Sequence, residues 1–73
     1  MQQQQFIPTN PLWNRNQIVT YINKRGGKSR GRITYLETHY NRTDGKAYHI
    51  YCVHTEGHKR SAWVSEKDII EGN

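Results

Sequence analysis

The sequence predicts an all-β chain, a small closed barrel of five short strands with one 3₁₀ turn before the last of them. Three observations carry this expectation. From residue 17 onward, β-branched and aromatic residues gather in short runs, a composition that suits pleated, half-buried surfaces. Turn signals separate the runs, at Gly26-Gly27, Asp44-Gly45 and Gly57, at roughly the 8–12-residue interval typical of small sandwiches and barrels. The chain has 73 residues, one domain at most, and at that size only about 60% of the unfolded surface is buried. A barrel is the economical answer, because closure leaves no strand edge bare.

Residues 1–16 read as an irregular N-terminal segment. A run of four glutamines, Pro8, Pro11, Asn10, Asn14 and Asn16 bury little and break regular structure. The first five residues are expected to be disordered, whereas Phe6, Ile7, Leu12 and Trp13 are apolar enough to lie along the barrel. The barrel domain then occupies 17–73. "QIVTYIN" (17–23) makes the first strand, and "KRGGKSRG" (24–31) a basic loop whose glycine pair supplies positive φ. "RITYLETHY" (32–40) is the second strand, followed by "NRTDGK" (41–46), whose Asp-Gly is a hairpin signal. "AYHIYCVH" (47–54) is the third strand, "TEGHK" (55–59) a tight turn, and "RSAWV" (60–64) the fourth strand. "SEKD" (65–68) reads as the 3₁₀ turn, with Ser65 as cap and Glu66 and Asp68 suited to its N-terminal end. A helix opened by the same cap would reach Gly72 too soon. "IIE" (69–71) closes the barrel.

Charge says more than size. Eleven Lys and Arg against six Asp and Glu leave a net charge of +5. Arg15, Lys24, Arg25, Lys28, Arg30 and Arg32 fall in one stretch without an acid, while Glu66, Asp68 and Glu71 gather near the C-terminus. A basic half on a small domain raises the local concentration of anions and favours polyanionic partners. No apolar run approaches the roughly 20 residues of a membrane span, so no membrane partner is expected. "MQQQQFIPTNP" lacks the basic and apolar regions of a secretory signal. Cys52 is the single cysteine and can form no internal disulfide, which fits a reducing, cytoplasmic compartment.

The order "IVTYI", basic hairpin, "GRI", hairpin, "YHIYCV", tight turn, "WVSEKDII" resembles the SH3-like small barrels over 17–71. That broad group includes tudor, KOW, chromo-barrel, integrase C-terminal and plasmid-type dihydrofolate reductase domains. Two narrower likenesses stand beside it. "EGHKRSAWVSEKD" is similar to the last strand of the archaeal seven-kilodalton chromatin proteins, which lay a sheet on DNA, although their long C-terminal helix has no counterpart here. "FIPTN" and the strand order resemble the plasmid-type dihydrofolate reductases. Their Val-Gln-Ile-Tyr signature is replaced by "SAWV", so that activity does not carry over.

Strand alternation assigns faces. The SH3-like pattern puts Tyr48, Ile50 and Cys52 inside, with His49, Tyr51 and Val53 outside. It likewise puts Ile33 and Tyr35 inside, and Arg32, Thr34 and Leu36 outside. Val64 precedes the turn and is expected in the core, which sends Trp63 outward beside Ser61. Val19, Ile69 and either Ile18 or Ile22 complete the core, both faces of the first strand being apolar. An outer face with Trp63, Tyr51 and Leu36 suits base stacking or a protein hot spot. Against this stands a lid, with Phe6 or Trp13 packed on Trp63.

Other chemistry is weakly supported. Zinc requires four converging ligands, but His49 and His54 fall on opposite strand faces and no paired-ligand spacing joins His39, His58 and Cys52. Cys52 and His54 share a face without an orienting third group or oxyanion donors. "RGGKSRG" lacks the spacing of a phosphate-binding loop. The expectation is a non-enzymatic binder of nucleic acid, DNA ahead of RNA, without cofactor or metal. Lys24, Arg25, Lys28, Arg30, Arg32, Lys59 and Arg60 would meet phosphates, and Tyr51, Trp63 and Leu36 would stack or enter a groove. The alternative is a small adaptor or inhibitor, of the kind phages encode, docking this aromatic face on a host protein.

Overall fold

The computed structural model describes residues 10–72. The expectations placed on residues 1–9, including a lid formed by Phe6, lie outside the described residues.

Five antiparallel strands form one sheet in the order β4-β3-β2-β1-β5. They are β1 (Ile18–Ile22), β2 (Lys28–Tyr40), β3 (Ala47–His54), β4 (Ala62–Ser65) and β5 (Ile69–Gly72), with a 3₁₀ turn at Glu66–Asp68. The two edge strands, β4 and β5, are joined by that turn alone. In a flat sheet, four strand spacings would hold them about 19 Å apart. Three 3₁₀ residues rise only about 6 Å. The sheet therefore curls until its edges face one core, which gives the small barrel-like architecture the sequence predicts.

Every strand contributes to the interior: Val19 and Tyr21 from β1, Ile33 from β2, Tyr51 and Val53 from β3, Val64 from β4 and Ile69 from β5. Trp13, Leu36 and Ala62 pack on this cluster. Val19, Ile33, Val64 and Ile69 lie inside as their pattern predicts. Tyr21 takes the place offered to Ile18 or Ile22; Ile18 is half-buried and Ile22 exposed.

Three assignments are corrected, two of them by register. On β3 the faces are exchanged: His49, Tyr51 and Val53 are buried, while Tyr48 is exposed and Ile50 and Cys52 are half-buried. Both sets are largely apolar, so alternation alone does not choose between them. Pairing does, because residues directly opposite one another share a face. Tyr51 lies opposite Val64 and Val53 opposite Ile33, so the inward strand-mates carry them into the core. The polar atoms are met there, with His49 Nδ1 2.8 Å from Thr38 Oγ1.

On β2 the faces exchange partway along. Ile33 pairs with Val53, and Tyr35, rather than Thr34, pairs with Cys52. The extra residue is a β-bulge, which inverts the side-chain alternation beyond it. Tyr35 therefore points out and Leu36 turns towards the core, opposite to the uninterrupted pattern. Residues 16–17 brace the bulge, with Asn16 N–H donating to the Ile33 carbonyl at 2.7 Å and Ile33 N–H donating to that of Gln17 at 2.9 Å.

The third correction concerns length. β2 begins at Lys28, so the expected flexible basic loop shrinks to a turn over 23–27. Asn23 Oδ1 accepts from the N–H groups of Arg25 and Gly27 at 3.0 and 3.1 Å, and Gly26 adopts φ 83°. At the other end, β4 starts at Ala62 and includes Ser65, leaving Arg60 in the preceding bend. Ser65 makes no side-chain cap on the 3₁₀ turn. Glu66 bonds across the barrel instead.

The N-terminal approach is anchored by that same acid. Tyr51 donates its hydroxyl proton to Glu66 Oε2 at 2.6 Å, and Leu12 N–H donates to the same oxygen at 3.2 Å. Trp13 N–H donates to the Tyr51 hydroxyl oxygen at 3.4 Å. The Trp13 indole lies so close to Gly72 that a Cβ there would fall on the ring. Trp13 thus packs on the core rather than on Trp63.

Candidate functional site

Before the bulge, Ser29, Gly31 and Ile33 face inward, which leaves Lys28, Arg30 and Arg32 exposed on the outer face of β2. Alternate residues on one strand stand about 7 Å apart, so three cations form a line roughly 14 Å long. Antiparallel pairing adds to it. The β1–β2 turn carrying Lys24 and Arg25 and the β3–β4 connection carrying Lys59 and Arg60 both lie at the end of the sheet where β2 begins. All seven cations singled out in the sequence are exposed there. Arg15, present in the basic run but given no role, reaches the same region, its Nε–H donating to the Thr34 carbonyl at 3.3 Å. Thr34 is the bulge residue, and spacing in the sequence does not reveal the contact.

An open groove of about 580 Å³ lies beside the arginines, lined among others by Arg30, Arg32, Thr34, His54, Thr55 and Glu56. Two contacts shape it. Thr55 donates its hydroxyl proton to the Arg30 carbonyl at 2.9 Å, which holds the β3–β4 connection against β2. Gly31 permits the close approach of the strands: a Cβ there would stand 2.6 Å from the His54 carbonyl oxygen. His54 Nδ1 is 3.4 Å from Ser61 Oγ. Glu56 introduces one acid, and Glu71, two strands away from Arg30, accepts from Thr20 Oγ1 at 3.4 Å. The charged side chains of the lining are therefore two arginines and one acid, among neutral residues.

Beyond the bulge the outer face becomes aromatic. Tyr35, Cys52 and Trp63 form one cross-strand row, with Tyr35 and Trp63 meeting edge to face at 6.1 Å and 62°. Trp63 is 53% exposed and Tyr35 48%. Glu37, Ile50 and Ser65 form the next row, and His39 with Tyr48 the one after. Those two rings stack at 5.5 Å and 19°, with Tyr48 51% exposed.

Trp63 stands outside as its sequence context predicts, whereas two proposed contact residues do not. Tyr51 is 0% exposed and Leu36 packs on the core, so neither offers a ring or chain to a ligand. Burial, followed by its bond to Glu66, raises the Tyr51 hydroxyl pKa well above the usual tyrosine value. Tyr35 and Tyr48 occupy the surface instead. A turn-like signal for the bulge is absent from "GRITYLE", which hides Tyr35, and the two largely apolar faces of β3 hide Tyr48.

Among the described residues, no three His, Cys, Asp or Glu side chains are grouped to hold a metal ion, and no helix is long and apolar enough to cross a membrane. Cys52, expected inside, is half-buried on the outer face between the two rings. No protein-family model, curated protein or solved structure matches the chain.

Proposed function

We propose that the chain is a small basic nucleic-acid-binding protein, DNA ahead of RNA, acting by binding without a reaction of its own. One observation carries the reading. The outer face of β2 runs from Lys28, Arg30 and Arg32 directly into Tyr35, which meets Trp63 across the sheet. Cations neutralise phosphates whatever the sequence, and stacking on an aromatic ring contributes about 1–3 kcal/mol per base. Neither interaction requires a 2′-hydroxyl, so DNA satisfies the surface as it stands. The net charge of +5 adds long-range attraction.

The test is a titration of labelled DNA and RNA oligonucleotides at several salt concentrations. Three to five phosphate contacts predict that log K falls with log salt at a slope of about −2 to −4. No binding at low salt, or binding indifferent to salt, would contradict the proposal.

A second reading rests on the far part of the same face. Tyr48 and Ile50 lie beyond the Tyr35–Trp63 row, away from Lys28, Arg30 and Arg32, and aromatic residues of this kind anchor protein interfaces. Here the chain would be an adaptor or inhibitor of a host protein, in the manner of small phage proteins. Capture of one defined partner that survives nuclease treatment, with loss on Trp63→Ala, favours this reading.

A further inference from the structure

The exposed rings narrow the ligand further, and this inference rests on the nucleic-acid reading. We infer that the outer face of β2, β3 and β4 selects single-stranded over double-stranded nucleic acid. Phosphates would lie in the Arg30–Arg32–His54 groove, with bases on the Tyr35–Trp63 row. On β3, His54 and Cys52 are the outward neighbours of these two zones, separated by two residues or about 7 Å. The basic zone therefore gives way to the aromatic row over a length comparable to one nucleotide, on a continuous surface.

A duplex uses only half of that surface. It presents phosphates and groove edges to a protein, while its base faces stay within the stack. Rings could reach those faces by wedging between steps, at a cost of a few kcal/mol for unstacking. Trp63 and Tyr35 are poorly shaped as wedges, because each ring leans against the other edge to face. Unpaired bases meet such rings without that cost. The second ring pair, His39 with Tyr48, lies four residues further along β2, or about 13 Å. The face therefore has room for a segment of several nucleotides, at the short end of the 4–16-nucleotide sites that single-strand binders use.

The test compares three probes by fluorescence anisotropy at one low salt concentration: a labelled single strand of about 12 nucleotides, the duplex of the same sequence, and inorganic polyphosphate as competitor. The single strand is expected to bind at least about tenfold tighter than the duplex. Trp63→Ala should weaken the single strand by about 5- to 150-fold, the equivalent of one lost stack, and change duplex binding less than threefold. Trp63→Phe should keep most of the affinity, and circular dichroism should show Trp63→Ala folded because the side chain is half exposed. Equal or tighter duplex binding would overturn the single-strand inference while leaving nucleic-acid binding in place. So would competition by polyphosphate as effective as by the unlabelled strand. Failure of both oligonucleotides to bind would overturn nucleic-acid binding itself.

Discussion

The two faces of the sheet use the same residue types for opposite ends. Tyr51 and Tyr35 lie one diagonal step apart on neighbouring strands, since Tyr51 pairs with Leu36. Tyr51 is wholly buried, and its hydroxyl is held by Glu66 and by the Trp13 backbone. Tyr35 is half exposed, and its described ring partner is another exposed aromatic. The tryptophans divide in the same way, with Trp13 on the core and Trp63 outside. Tyr51 inside this barrel has partners for its hydroxyl, whereas the Trp13 indole nitrogen is buried without one among the described residues, so Trp13 is held there by packing. An aromatic residue outside is free to serve a ligand, and the fold should scarcely notice its removal.

The largest effect expected from breaking this contrast is on the inner face. Tyr51→Ala removes a buried ring, takes from Glu66 one of its two donors and leaves the Trp13 N–H without its partner. Aromatic-to-alanine changes in cores cost about 3–5 kcal/mol, a large part of the stability of a domain this small. Urea unfolding should show a variant that is marginally folded or unfolded; retention of full stability would mean Tyr51 is not a core residue.

Tyr51→Phe sharpens the same point with less damage. A hydrogen bond to a charged group contributes about 1.5–3 kcal/mol, and that loss is expected in the urea midpoint. The pH dependence has a defined sign. The folded hydroxyl holds its proton above the unfolded tyrosine pKa of about 10, so this contribution is complete below that pH. It declines as the pH rises further, because the unfolded state then releases a proton that the folded state keeps. Thermal melts from pH 9 to 11 should show stability falling in the wild type, with a flatter curve in Tyr51→Phe.

On the outer face the expected stability changes are smallest. Trp63→Ala and Arg30→Ala/Arg32→Ala should each stay within about 0.5 kcal/mol, as surface changes usually do. The arginine pair should instead reduce the salt slope for a bound single strand by about 1.4, two phosphate contacts' worth. A large stability loss with no change in slope would assign the arginines to the fold.

The succession of five strands, the turns and four core residues, Val19, Ile33, Val64 and Ile69, were legible because they rest on composition and local turn chemistry. Gly26, Gly45 and Gly57 all adopt positive φ at turns, and Val64 inside with Trp63 outside follows from the end of β4. The cations were legible too, since seven exposed charges in two segments needed only a hairpin topology to meet. The sidedness of β2 and β3 was not. "YHIYCV" is apolar on both faces, and the insertion of Thr34 changes register by one residue without altering the local composition. Tyr51 and Leu36 were accordingly assigned to the surface, and Tyr35 and Tyr48 missed.

The indole N–H resonances of the two tryptophans test the account most directly, because one ring lies on each face. Titration with a short single-stranded oligonucleotide should shift or broaden the Trp63 signal and leave that of Trp13 in place. Movement of Trp13 while Trp63 stays fixed, or no movement of either at low salt, would contradict the assignment of the outer face as the binding surface.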